Sequence, residues 1–139
     1  MNATPMYPVF AFQRDDNMIY VFSEDRSLKS TSVDFLKNNG YEDSTIIDSS
    51  GTLYRIRSAY KVKYRGLWGF NPLLKGRQIL VEFDYEPETG TISLEEFKKD
   101  VIRRIHKTKH IWQSAWDISE LIDEVKESDS FEAIAMLLK

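Results

Sequence analysis

The chain contains no cysteine. Disulfide stapling, thiolate nucleophiles and cysteine-type zinc sites are thereby excluded, and the fold must rest on its own core, which suits a reducing compartment such as the cytoplasm. Long apolar runs are missing too: stretches such as Met18 to Phe22 fall far short of the roughly 20 residues a membrane helix requires. No basic stretch followed by an apolar one opens the chain, so neither a membrane span nor a signal peptide is expected.

Histidine is scarce, with only His106 and His110. Their spacing of four lets one helical face present two metal ligands. However, Lys107 stands where the zinc-protease motif has its general-base glutamate, and Lys107 and Lys109 would repel a cation. A solvated role at a helix end is expected instead, where basic groups meet the negative pole of the dipole. Neither histidine has a recognisable Ser/His/Asp context. The carboxylate pairs Asp15/Asp16 and Glu82/Asp84 occupy turn and strand positions that solvated surface explains. Gly66, Gly69 and Gly76 lack both dinucleotide and P-loop spacing. No enzymatic activity, metal or cofactor is expected.

What is present is enough for one domain: 139 residues bury roughly two thirds of their unfolded surface in a single core. Met1 to Pro5 is polar and precedes a second methionine, so it is expected as a frayed or non-native start, with a single domain over 6–139. From Arg77 to Pro87, Ile79, Val81, Phe83 and Tyr85 alternate with Leu80, Glu82, Asp84 and Glu86, the period of a strand with one buried face. This strand is expected at the centre of the sheet.

Upstream, Tyr7–Gln13 and Met18–Ser23 form a hairpin across the turn residues 14–17. Ser30, Thr31 or Ser32 then caps a short helix through Val33, Phe35 and Leu36 that ends at Asn38-Asn39-Gly40. A second hairpin joins Thr45–Ile47 to a long arm beginning at Leu53, folded at Asp48-Ser49-Ser50-Gly51. On that arm Ile56, Ser58, Tyr60, Val62 and Tyr64 share one face, and Arg55, Arg57, Ala59, Lys61, Lys63 and Arg65 the other. Beside the Arg77 strand, the basic row is expected opposite Glu82, Asp84 and Glu86.

Downstream the period changes to that of helices. Ser93 and Glu96 make a capping box, and Leu94, Phe97, Val101 and Ile105 recur at three- and four-residue steps. Asp117 caps a second helix with Ile118, Leu121, Ile122 and Val125 inside. Residues 127–130 break it before a last helix carrying Phe131, Ile134, Ala135 and Leu138. The expected class is α+β: a mainly antiparallel sheet of about five strands, a short helix between its hairpins, and C-terminal helices on one face.

Charge is segregated behind a formal net of −3. All seven charged residues from Arg55 to Arg77 are basic, whereas from Asp117 to Glu132 seven acidic residues face Lys126 alone. The linker between the long strands adds Leu67, Trp68, Phe70, Leu73 and Leu74, which either cover the core or form a contact site.

Three stretches carry a resemblance. Met6 to Ala11, the hairpin Asp48 to Tyr54, and the ending from Trp116-Asp117-Ile118 through Ser130 to Ile134 resemble small bacterial immunity proteins of polymorphic and contact-dependent toxin systems. The resemblance implies a cytoplasmic binding module without cofactors that neutralises a cognate toxin domain by occluding it. It carries over no functional residue. Such toxin domains are often basic nucleases, so the partner surface is expected at Glu120, Asp123, Glu124 and Glu127, with Trp68 and Phe70 as aromatic anchors. The alternative is a nucleic-acid-binding module working through Arg55, Arg57, Lys61, Lys63 and Arg65.

Overall fold

The computed structural model describes residues 5–13, 16–24, 30–32, 43–64, 78–85 and 90–139, with backbone alone at 30–32, 58–64, 78–82 and 84. The chain is α+β, and no described helix is long and apolar enough to cross a membrane. Six strands are described, one more than expected: β1 (Val9–Phe12), β2 (Tyr20–Phe22), β3 (Ser30–Ser32), β4 (Thr45–Ile47), β5 (Leu53–Tyr64) and β6 (Gln78–Tyr85). They form an antiparallel sheet in the order β2-β1-β4-β5-β6-β3.

Both hairpins form as expected, β1 with β2 and β4 with β5. Ser30–Ser32 pairs as a strand with Gln78–Leu80, an edge strand that the sequence did not announce. The helix body expected at 33–36 lies outside the described residues. β6 is not central but next to the β3 edge, and β1 is the strand buried throughout.

A further correction concerns charge pairing. Register shifts at Arg57 and Val62 insert an extra residue into β5, so each bulge displaces the ladder by one. Asp84 therefore lies across from Ser58 and Glu82 from Tyr60, while Lys61 and Lys63 face Val81 and Leu80. The basic row does not stand opposite the acidic one.

Alternation along β1 explains its double burial. Phe10 and Phe12 enter one cluster, whereas Val9 and Ala11 join Ile46, Tyr54, Ile56 and Phe83 in a second. The first cluster is the helical core. It packs Phe10, Phe12 and Ile47 against α1 (Leu94–Lys107), α3 (Ile118–Glu127) and α4 (Phe131–Leu138); α2 (Lys109–Trp112) adds Trp112. The helices thus cover one sheet face, and Phe97 ties them to it with ring centroids 4.7 Å from Phe10 and 5.0 Å from Phe131. Each such aromatic pair contributes about 0.5–1.5 kcal/mol beyond its buried area.

The helices start where their caps predict. Ser93 Oγ accepts the Glu96 amide, Asp117 Oδ1 the Glu120 amide, and Ser130 Oγ the Ala133 amide. Thr108 ends α1: its amide donates to the carbonyls of Arg104 and Ile105, and its hydroxyl both donates to Arg104 and accepts from Trp112 Nε1 at 3.0 Å. The buried indole is thereby satisfied.

Two polar clamps fix the sheet. Asp48 is buried, and its carboxylate accepts the amides of Met6 (3.0 Å), Ser50 (2.9 Å) and Thr52 (3.1 Å) and the Ser50 hydroxyl (2.6 Å). The Ser49 amide and hydroxyl return bonds to the carbonyls of Met6 and Pro8, so residues 6–8 are pinned to the β4–β5 turn, and Pro5 is buried beside them. At the other hairpin, Arg104 lies 4.3 Å over the Phe12 ring and donates to the Asp16 carbonyl and to Asp100, while Arg103 bonds Asn17.

Candidate protein-interaction surface

Helix α3 is amphipathic by its 3.6-residue period. Leu121 and Val125 are fully buried and Ile118 and Ile122 half-buried, which turns Glu120, Asp123, Glu124 and Glu127 out to solvent. Their offsets of three, four and seven place the four carboxylates along one exposed stripe. The structure thus brings together the four acidic residues expected from the sequence. Trp68 and Phe70 lie outside the described residues.

Lys126 is the one cation on the helix, so the stripe carries a strong excess of negative charge. Glu120 with Glu124 and Asp123 with Glu127 are i,i+4 like-charge pairs, and Glu120 with Asp123 and Glu124 with Glu127 are i,i+3 pairs; each costs about 0.2–0.5 kcal/mol. Among the described residues none of the four carboxylates joins an ion pair. Two contacts at the helix end offset that cost. Ser128 Oγ donates to the Glu124 carbonyl at 2.8 Å, and the buried Lys98 ammonium donates to the Lys126 carbonyl at 2.9 Å.

The other candidates fare differently. Arg55 and Arg57 are exposed on β5, with an Arg55 guanidinium nitrogen 3.5 Å from Asp43. Lys61 and Lys63 lie on the same strand with only their backbone described, and Arg65 lies outside the described residues. His106 and His110 are both exposed, but Thr108 interrupts the helix between them. Among the described residues no group of three or more His, Cys, Asp or Glu is placed to hold a metal ion.

Among the described residues two carboxylates are perturbed. Burial would push Asp48 up, but the Met6 amide, the Ser50 hydroxyl and the Thr52 and Ser50 amides outweigh it and hold the carboxyl below its ordinary value. Burial likewise acts on Asp100, and hydrogen bonds and charge from Arg103 and Arg104 overcome it, again lowering the value. Both groups are consumed by the clamps just described, so they are structural anchors.

One feature escaped sequence reasoning. Lys99, Arg103, His106 and Lys107 share the exposed side of α1, and Lys109 and His110 extend it along α2. The signal was there at offsets of four, seven and eight, hidden by interleaved apolar residues and by Asp100. The chain matches no model of a protein family, no curated protein and no solved structure.

Proposed function

We propose that this chain is an immunity-type binding module that neutralises a cognate bacterial toxin domain by occluding it, with the outer face of α3 as its contact. The observation that supports this reading is the stripe Glu120, Asp123, Glu124 and Glu127: exposed, unpaired among the described residues, and held together against its own repulsion. A basic partner relieves that repulsion on binding, and complementary potential raises association rate and specificity. The rigid core beneath, from Leu121 and Val125 down to Phe10, presents the stripe with little ordering cost.

The direct test is calorimetric titration of the protein against any toxin domain encoded immediately upstream of its own gene. Salt-sensitive binding in the nanomolar range with loss of toxin activity is expected. Absence of binding contradicts the proposal, and retention on mixed DNA and RNA with a steep salt slope would favour nucleic-acid binding through the β5 face around Arg55 and Arg57.

A further inference from the structure

We propose that the exposed face of α1 and α2 is a docking surface for the acidic face of α3 in a second copy of this chain. Between Lys99 and His110 five basic residues and two histidines accompany a single carboxylate, Asp100. That carboxylate is committed to Arg103 (2.7 Å) and Arg104 (2.8 Å). Lys99, Lys107 and Lys109 make no ion pair among the described residues.

Helix α3 packs against α1, so the basic and acidic faces are neighbours in one layer. They nevertheless leave each other unpaired. A polar link between the two helices runs beneath the surface, from the buried Lys98 ammonium to the Lys126 carbonyl, while Lys99, Lys107, Lys109 and the four α3 carboxylates make no ion pair among the described residues. Neither of these sets meets a charge complement there, and a second copy of this chain offers both complements at once.

A surface carrying adjacent patches of opposite sign is self-complementary under a two-fold rotation: the basic patch of each copy meets the acidic patch of the other, and both sets of contacts form in one interface. A partner of one sign satisfies only half of that surface. The inference does not rest on the toxin reading, although it engages the same α3 stripe. A second copy and a basic partner would therefore compete for it.

Sedimentation of the full chain at low salt and at about 1 M salt, where the screening length falls to about 3 Å, is the test. A dimer is expected at low salt, with association weakened at least about tenfold at high salt. Lys99→Glu/Lys107→Glu/Lys109→Glu and Asp123→Lys/Glu124→Lys/Glu127→Lys should each be monomeric alone. Mixed, they should form a heterodimer, because the first is acidic and the second basic on both patches. Monomeric wild-type protein at low salt, or a mixture that stays monomeric, overturns the inference. Neither result touches the titration against a toxin domain, so the two proposals fail separately.

Discussion

The ammonium of Lys98, only 8% exposed as a residue, lies 2.9 Å from the main-chain oxygen of Lys126 and closes the C-terminal end of α3 from below. A cation at that end meets the negative pole of the helix and satisfies a carbonyl that has no partner inside it. Glu95, 3.6 Å away and exposed, adds little. Lys98→Met keeps the apolar stem and removes the charge. It should destabilise the protein by about 1.5–3 kcal/mol in urea unfolding, the range for a hydrogen bond to a charged group.

Acid should unfold the protein through Asp48 and Asp100. Both carboxyls are held below the ordinary 3.8 in the folded chain, so the folded state binds fewer protons than the unfolded state in acid. The stability they lend is complete above the unfolded value and drains away as pH falls through the lower folded one. Asp48→Asn should therefore flatten the fall in stability below about pH 4 while lowering stability at pH 7. Equilibrium unfolding at both pH values checks this; an unchanged acid slope would contradict it.

Gly51 sits at φ +83°, and a methyl group there would come within 2.7 Å of the Ile92 carbonyl oxygen and 3.0 Å of the Phe131 ring. Backbone and clash both oppose any side chain. Gly51→Ala should cost at least about 1–2 kcal/mol from the left-handed backbone alone, read from the denaturation midpoint.

The parts of this fold legible in the sequence are those set by neighbours along the chain. Asp48 to Gly51 makes a turn wherever it stands, and Ser93, Asp117 and Ser130 cap helices with their own side chains. The acidic face of α3 was visible for the same reason, since its offsets follow the helical period. What depends on distant partners was hidden. Nothing in Ser30-Thr31-Ser32 announces an edge strand until β6 lies beside it. Strict alternation along β5 conceals the extra residues at Arg57 and Val62, which move Lys61 and Lys63 off the acidic row. Strand order was hidden too: β4 returns to pair with β1 across the 32 residues between Phe12 and Thr45, which leaves β4 and β5 at the centre and β6, like β1, one place from an edge.

Asp123→Lys and Glu124→Lys should each stabilise the isolated protein. Each removes two like-charge pairs of about 0.2–0.5 kcal/mol apiece and creates attractive ones in their place. A gain of about 0.5–1 kcal/mol is expected for Glu124→Lys, and a smaller one for Asp123→Lys, which gains a like charge in Lys126 three residues on. Urea unfolding of protein dilute enough to be monomeric checks both, and a loss there would mean that these carboxylates hold contacts inside the fold.

The affinity of the Asp123→Lys/Glu124→Lys double variant for the proposed toxin partner, measured against wild type across a salt series, bears most directly on the role of α3. Affinity should fall at least about tenfold at low salt and lose most of its salt dependence, in a protein that has become more stable. Unchanged affinity with unchanged salt dependence would contradict the assignment of the acidic face as the binding surface.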